Sequence, residues 1–150
     1  MDNHQRIGSK SNAQVGKDFE DVAFEIFSQQ GLKIRKECKL LIGIGDVKKE
    51  HSFDLGSESN KILVECKSHR WTSGNNVPSA KMTVWNEAMY YFALAPKGYR
   101  KVFFVLRDYS QKRQETLAEY YIRTNTHLIP DDVEIWEYNE NKNSATRLKV

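Results

Sequence analysis

Two acidic residues and a lysine are spaced so that a β-hairpin would bring their side chains together. Asp54 lies in a short run of alternating apolar and polar residues, and Glu65 and Lys67 close a second such run, residues 61–67. This alternation is typical of half-buried strands. Residues 56–60, between the two runs, have the composition of a turn. The sequence therefore predicts a hairpin that carries all three charged side chains.

The position of the turn decides which residues of the hairpin face each other. A turn centred on residues 59–60 places Asp54 opposite Glu65, and Lys67 projects from the same face as Glu65 because strand side chains alternate. The other face would be apolar, formed by Phe53, Leu55, Ile62, Val64 and Cys66. Opposed carboxylates repel each other, and Mg²⁺, which prefers oxygen ligands, would remove the repulsion. Two acids and an amine at one place suit metal-assisted hydrolysis of a phosphodiester bond.

The same spacing resembles the PD-(D/E)XK nuclease superfamily, whose members share the restriction-endonuclease-like fold. The superfamily motif is an acid on one strand followed by Glu-x-Lys at the end of the next. Here the motif reads Asp54 and then residues 65–67, with Phe53 in place of the proline. Two other copies of Glu-x-Lys do not fit the motif: residues 37–39 have no acid upstream at hairpin distance, and residues 140–142 lie in a polar tail. The alternative interpretation is a solvated hairpin face without catalytic function.

The resemblance implies a magnesium-dependent mechanism. Asp54, Glu65 and the backbone carbonyl of Cys66 would bind Mg²⁺, and Mn²⁺ is expected to substitute for it. Lys67 would orient or deprotonate the attacking water, or stabilise the charge that develops on the phosphorane. The products that the resemblance implies are a 5′-phosphate and a 3′-hydroxyl.

Glu20 is a fourth candidate catalytic residue, in a segment that predicts the first helix. Apolar residues recur at helical spacing between Asn12 and Gly31, and the glycine is a natural C-terminal stop. Gly16 and Glu20 resemble the Gly-x₃-Glu arrangement of Holliday junction resolvases and their relatives, in which the first helix supplies an additional acid. The alternative is a solvated glutamate at the boundary of the core.

The residues that follow the motif supply candidate DNA contacts. Residues 68–77 are rich in hydrogen-bond donors and leave directly from the proposed site. His69 and Arg70 are candidates for phosphate binding, and Trp71 for stacking on a base or wedging a duplex. Lys81, near the start of the next helix, is a further candidate for a backbone phosphate. The alternative is a surface loop with Trp71 folded back onto the core.

The remaining patterns predict an α/β fold with a mixed β-sheet flanked by helices. Short turns make the first three strands antiparallel, and the later strand–helix–strand step requires a parallel crossover. The resulting αβββαβαβ order matches the restriction-endonuclease-like core over residues 12–138. The other expected elements are a strand over 32–44 bent at Lys36 or Glu37, a polar connection over 46–51, a helix over 78–95, a buried strand over 101–107, a helix over 111–124 capped by Asp108 or Ser110, and an edge strand over 133–138. In the polar connection, His51 could touch a scissile phosphate, and the alternative is a solvated loop histidine.

Length and composition predict a single domain. Of the 150 residues 39% are hydrophobic and 29% are charged, so the chain can bury a core and does not have a disordered composition. Residues 1–11 and 139–150 are polar and are expected to be tails. No apolar run approaches the roughly 18 residues of a membrane span, and a signal-peptide core is lacking. We therefore expect a cytoplasmic protein, with two reduced cysteines and no membrane partner.

These observations predict a metal-dependent DNA endonuclease, restriction-endonuclease-like or structure-specific and resolvase-like, acting in restriction or in DNA repair or recombination. The net charge of +3 does not by itself indicate a nucleic-acid partner, so DNA follows from the resemblance. The chain is expected to be too short for a separate recognition domain. That leaves open recognition of DNA structure, a homodimer, sequence reading by residues 68–77, or a larger assembly. The alternatives are a catalytically inactive nuclease-fold protein that binds DNA or acts as a scaffold, and an RNA-directed nuclease.

Overall fold

The computed structural model describes the backbone of residues 12–149 and the side chains of residues 14–149. The described helices are α1 (Asn12–Gln29), α2 (Ser79–Leu94) and α3 (Leu117–Asn125). The described strands are β1 (Arg35–Ile42), β2 (Lys49–Ser57), β3 (Ile62–Lys67), β4 (Arg100–Leu106), β5 (Tyr109–Ser110), β6 (Glu115–Thr116), β7 (Val133–Asn139) and β8 (Ser144–Lys149). A short 3₁₀ turn follows α3. None of the described helices is long and apolar enough to cross a membrane.

Six of the strands form one sheet in the order β1-β2-β3-β4-β7-β8. The pairs β1–β2, β2–β3 and β7–β8 are antiparallel, while β3–β4 and β4–β7 are parallel. Each parallel step is made through a helix, as a crossover requires. The expected α/β fold with a mixed, helix-flanked sheet is therefore confirmed, and β5 and β6 form a separate small hairpin.

Helix α1 covers one face of the sheet with a narrow apolar stripe. Phe19, Ala23 and Phe27 recur every four residues, which places them on one side of a helix. All three are buried against the sheet, where Phe19 and Phe27 both contact the ring of Phe104. The stop expected at Gly31 is present, since this residue has a φ of 84°.

Helices α2 and α3 cover the opposite face. The predicted apolar stripe of α2 is confirmed, since Met82, Trp85, Met89 and Phe92 are all buried. Strand β4 lies between the two helical layers, and the alternate residues of this strand enter the two core clusters. The predicted strand buried on both faces is therefore also confirmed.

The third helix begins later than the sequence predicts. Residues 109–116 form the β5–β6 hairpin, and α3 starts only after Thr116, whose Oγ1 accepts from Glu119 N at 3.1 Å while Glu119 Oε1 accepts from Thr116 N at 2.8 Å. This reciprocal capping box satisfies two backbone N–H groups at the start of the helix. Asp108 and Ser110, the expected caps, bond instead to Trp71 N and Arg113 N. The expectation of a helix from residue 111 is therefore wrong.

The C-terminal residues also differ from expectation. Strand β7 is not the edge of the sheet, because β8 pairs with it through Trp136↔Arg147 and Tyr138↔Ala145. Residues 144–149, expected to belong to a polar tail, are thus part of the sheet, with Ala145 packed against the α1 cluster. The expected tail of residues 1–11 lies outside the described residues.

Candidate active site

The register of the central hairpin is the one that the turn predicts. Strands β2 and β3 pair through Leu55↔Val64, Gly56↔Leu63 and Ser57↔Ile62. The same register places Asp54 across from Glu65. Gly56 is required here, because a Cβ at this position would lie 2.7 Å from the Cβ of Cys38 on β1.

The ladder between β2 and β3 stops at Leu55, and Asp54 fills the gap that opens beyond it. Asp54 Oδ2 accepts a hydrogen bond from the backbone N–H of Cys66 at 2.8 Å. The backbone N–H of Cys66, which has no partner in the β2–β3 pairing, is thus satisfied by a side chain. One carboxylate of the candidate site is therefore held at the point where the two strands separate.

Strand β2 changes face at Asp54, which corrects one detail of the sequence-based hairpin. Leu55 packs in the α1 cluster as expected, whereas Phe53 packs on the α2 side and stacks on Phe92 with centroids 5.8 Å apart. Opposite Asp54 in the β1–β2 pairing lies Glu37, which has a φ of 55°. This local irregularity is the bend expected at residues 36–37, and it accompanies the change of face. Phe53 and Leu55 therefore do not share one apolar face.

Glu65 is a buried carboxylate with incomplete compensation. Its residue exposure is 7%, and its Oε1 has no hydrogen-bond partner among the described residues. The pKa of Glu65 is raised to about 7, chiefly by burial and also by the nearby Asp54 carboxylate, while His51 and Lys67 oppose the rise. A buried acid beside another acid is costly when ionised, unless a cation lies between them.

Glu20 and Lys67 lie near the carboxylate pair. Burial raises the pKa of Glu20 above its ordinary value, and the next largest contribution comes from the charge of Asp54. Helix α1 therefore does bring Glu20 within electrostatic range of the hairpin. Lys67 is half-buried at the end of β3, and its positive charge acts on Glu65.

Cys66 contributes its backbone, not its thiol, to this region. Its side chain is buried in the α1 cluster, as expected. Burial raises the pKa of the thiol well above its usual value, and the charge of Asp54 adds to that effect. The thiol therefore stays protonated and is a poor metal ligand.

His51 is a further residue of the candidate site, which the sequence pattern assigned to a polar connection. It lies in β2, not in a polar connection, and its imidazole stacks on Tyr91 with centroids 3.7 Å apart and an interplanar angle of 11°. The imidazole also makes an edge-to-face contact with the Phe53 ring, with centroids 4.7 Å apart. His51 Nε2 lies 3.7 Å from Glu65 Oε1, and neither atom has a hydrogen-bond partner among the described residues. The alternation of His51 with Phe53 is the sequence signal that would have placed it on a strand.

His69 and Lys81 lie near Lys67, and the three side chains line one cleft. Trp85 Nε1 donates to His69 Nδ1 at 2.8 Å, and the imidazole is half-buried. Lys81, in the first turn of α2, is exposed and close enough for its charge to act on His69. Both candidate DNA contacts thus adjoin the proposed catalytic lysine.

Arg70 and Trp71 both have partners within the protein, Arg70 at the surface and Trp71 against the core. Arg70 forms a two-pronged ion pair with Glu140 at 3.1 and 2.8 Å. Trp71 N donates to Asp108 Oδ2 at 2.8 Å and Trp71 Nε1 to the Asp108 carbonyl at 2.9 Å. The guanidinium of Arg113 covers the indole ring at 4.9 Å. The alternative interpretation, with Trp71 folded onto the core, therefore describes the indole, whereas Arg70 stays exposed at the surface beside Glu140.

Across residues 14–149, no three side chains of His, Cys, Asp or Glu converge closely enough to hold a metal ion by themselves. Comparison with known proteins adds no assignment: no family model, no curated protein and no solved structure matches the chain. The function must therefore be argued from the geometry of the hairpin and its neighbours.

Proposed function

We propose that the protein is a Mg²⁺-dependent DNA endonuclease whose active site is formed by Asp54, Glu65 and Lys67. The observation that carries the proposal is the pairing of two carboxylates at the point where β2 leaves β3, with one buried oxygen of Glu65 lacking a partner among the described residues. Lys67 follows on the same strand. The order of helices and strands supports a restriction-endonuclease-like core, since it contains the predicted αβββαβαβ succession with three strands added, the β5–β6 hairpin before α3 and β8 after β7.

The few oxygen ligands of the site fit Mg²⁺ better than a metal ion that requires all of its ligands from the protein. Mg²⁺ is commonly bound by one or two carboxylates, and waters and substrate phosphate oxygens complete the octahedron. Asp54 and Glu65, with the backbone carbonyl of Cys66, would hold such an ion, and Mn²⁺ would substitute. When bound, the metal polarises the scissile phosphate and lowers the pKa of a coordinated water. A site with two side-chain ligands agrees with the lack of a three-residue cluster among the described side chains.

The other residues act on the water and on the phosphate. Lys67 carries an ammonium group beside the acids, where it would orient the attacking water or stabilise the negative charge of the transition state. Glu20 would add a second acidic position on the α1 side, within range of Asp54. The expected products are a 5′-phosphate and a 3′-hydroxyl. A homodimer would allow two such sites to cut two strands.

A catalytically inactive DNA-binding or scaffold protein of the same fold is the second candidate. It is favoured by one observation, the packing of Trp71 onto the core, because the loop beside the site then offers no free aromatic ring to stack on a base. The retention of Asp54, Glu65 and Lys67 together argues against it, since an inactive protein has no need of the complete set.

Plasmid nicking separates the two candidates. The wild-type protein should nick supercoiled DNA in Mg²⁺ or Mn²⁺ and not in EDTA. Asp54→Ala, Glu65→Ala and Lys67→Ala should each lower the rate by at least about 100-fold, the usual loss when a charge-stabilising group is removed. Lys39→Ala, in the second Glu-Cys-Lys copy, is the matched control and should cleave normally. Equal cleavage by all four variants would refute the site, and binding without cleavage would favour the inactive protein.

A further inference from the structure

The tautomer of His69 is determined by its contact with Trp85. An indole N–H can only donate a hydrogen bond. Because Trp85 Nε1 lies 2.8 Å from His69 Nδ1, that nitrogen must be the acceptor and carries no proton. Trp85 is fully buried, and its ring is held edge-on against Phe103 and Tyr121, so the donor is fixed in place. The proton of the neutral imidazole is therefore on Nε2, which is a donor.

The environment keeps this imidazole neutral. The pKa of His69 is lowered to about 4, chiefly by burial and in part by the charges of Lys81 and Lys67. Protonation of Nδ1 would also bring two N–H groups face to face. Across the neutral pH range, His69 is thus a directional and uncharged N–H donor, in contrast to the nearby ammonium groups of Lys67 and Lys81.

His69 lines a cleft that adjoins the candidate active site. The cleft has a volume of about 330 Å³ and lies at the end of β3, between the N-terminal half of α1 and the first turn of α2. Its lining residues are Val15, Gly16, Cys66, Lys67, Ser68, His69 and Lys81. The polar side chains of this set are two ammonium groups, a hydroxyl and the imidazole, and no carboxylate lines the cleft among the described residues. The wall at Gly16 is open, since a Cβ placed there would meet nothing within 4 Å.

We infer that this cleft binds a phosphate group of a nucleic acid, with the Nε2–H of His69 donating to a non-bridging oxygen and with Lys81 and Ser68 as further donors. A set of donors without a competing acid selects an oxyanion, whereas the two acids on the neighbouring strands select a cation. The inference deepens the proposed function and relies on it for the nucleic acid as the source of the phosphate. That phosphate is either an internal phosphodiester or a terminal 5′-phosphate.

The first test uses the wild-type protein, so it does not depend on a variant that folds. Long-range ¹H–¹⁵N NMR should show His69 as the Nε2–H tautomer between pH 5.5 and 8. Titration with inorganic phosphate should shift that signal in a saturable way, and titration with sodium chloride should not. An Nδ1–H tautomer, or a signal that phosphate leaves unmoved, would overturn the inference.

The second test measures binding of a 3′-labelled oligonucleotide by fluorescence anisotropy in EDTA, where no metal-dependent cleavage occurs. His69→Ala should weaken binding about 10-fold, as expected for a lost hydrogen bond to a charged group. His69→Gln, whose amide nitrogen reaches the position of Nε2, should restore most of the affinity, and His69→Asn should not. Lys81→Ala should weaken binding and should reduce the slope of the logarithm of the binding constant against the logarithm of the salt concentration by about 1. Lys97 is an exposed lysine beyond the other end of α2, and Lys97→Ala should change neither quantity.

Two forms of the oligonucleotide identify the phosphate. A loss confined to the form with a 5′-phosphate assigns the cleft to a terminal phosphate, and an equal loss with a 5′-hydroxyl assigns it to an internal phosphodiester. Unchanged affinity of both His69→Ala and Lys81→Ala for both forms refutes the inference. The measurement is made in EDTA, so it does not depend on nuclease activity. Phosphate binding without nuclease activity would support this inference and refute the proposed function. Nuclease activity without an effect of the His69 and Lys81 variants on binding would support the proposed function and refute this inference.

Discussion

Asp54 and Cys66 are joined by a hydrogen bond from a backbone N–H to a carboxylate oxygen, 2.8 Å long, at the point where two paired strands separate. The bond gives Asp54 a structural role in addition to the proposed catalytic one. It also fixes the carboxylate beside Glu65 without the help of a bound ligand. Variants at this position therefore have to be read for stability and for activity separately.

The two roles of Asp54 are separated by a pair of substitutions. Asp54→Ala leaves the Cys66 N–H without its acceptor and should lower the free energy of unfolding by about 1–3 kcal/mol. Asp54→Asn keeps an acceptor oxygen and should unfold at a higher urea concentration than the alanine variant, yet both should lose Mg²⁺-dependent cleavage. Urea denaturation in EDTA checks the first statement, with Asp46→Ala in the exposed β1–β2 turn as the control. Equal stability of the two Asp54 variants would show that the hydrogen bond does not contribute.

The ionisation of Glu65 should make the metal-free protein less stable at neutral pH than in mild acid. Burial raises the pKa of Glu65 from 4.5 to about 7. The folded state thus holds this proton more tightly than the unfolded state, and the associated stability is complete below pH 4.5 and is lost as the pH rises through 7. The loss is on the order of 3 kcal/mol. Glu65→Gln has no such ionisation, so the difference in unfolding free energy between this variant and the wild type should grow from pH 4.5 to pH 8.

Thermal or urea denaturation in EDTA at several pH values measures that difference. Glu137→Gln is the control for Mg²⁺ binding. Burial also raises the pKa of Glu137, but this residue is remote from the hairpin in sequence, so the variant should still be stabilised by Mg²⁺. Addition of Mg²⁺ at pH 8 should stabilise the wild type and not the Glu65→Gln variant. A pH profile that is the same for wild type and Glu65→Gln would contradict the assignment of a buried, costly carboxylate.

Binding of Mg²⁺ should release a proton at mildly acidic pH. The ion requires the ionised form of Glu65, which is mostly protonated below pH 7 in the metal-free protein. Affinity should therefore rise with pH and level off above about pH 8, with up to one proton released per ion near pH 6. Titration calorimetry in two buffers of different ionisation enthalpy counts these protons. Glu65→Gln should release none, and heat that does not depend on the buffer for the wild type at pH 6 would contradict the prediction.

The central hairpin and its register were predictable because they depend on neighbouring residues. Turn composition over residues 56–60 and alternation on both sides determine which residues pair, and the observed pairs follow. The stripe of α2 was predictable for the same reason, since its apolar residues lie within one helix. Local patterns therefore identified the candidate carboxylates before any tertiary contact was known.

The contacts that define the rest of the site join residues distant in the chain, and no local pattern reports them. Arg70 and Glu140 are 70 residues apart, and Trp71 and Asp108 are 37 residues apart, so the internal engagement of the loop was not predictable. The change of face at Asp54 depends on an irregularity in a different strand, at Glu37. The start of α3 was misplaced for another reason, the choice between competing caps. The Thr116 and Glu119 pair forms both bonds of a capping box, whereas Asp108 is engaged by Trp71.

The ring of His51 packs on its neighbours, while its Nε2 atom faces Glu65, so substitutions can test the two roles separately. Its ring is fixed by Tyr91 and Phe53, and its Nε2 lies 3.7 Å from the unpartnered oxygen of Glu65. A small movement would bring the two atoms to hydrogen-bond distance, and the bond would then orient one oxygen of Glu65 and leave the other for a cation. His51→Phe keeps an aromatic ring in the stack and removes the nitrogen. We predict that this variant folds with near wild-type stability but loses about 10- to 100-fold in Mg²⁺ affinity and in cleavage rate, as is typical when the partner of a metal ligand is removed.

Tyr91→Phe is the matched control for His51→Phe, because it preserves the stacked ring and removes only a hydroxyl group. It should leave Mg²⁺ affinity unchanged in titration calorimetry. His51→Gln should recover part of the affinity, since its amide can donate to Glu65 from a similar distance, whereas a purely structural role for the ring would predict the reverse order, with phenylalanine the better replacement. If His51→Phe binds Mg²⁺ as tightly as the wild type, the imidazole nitrogen has no part in orienting Glu65, and the close approach of the two atoms reflects packing alone.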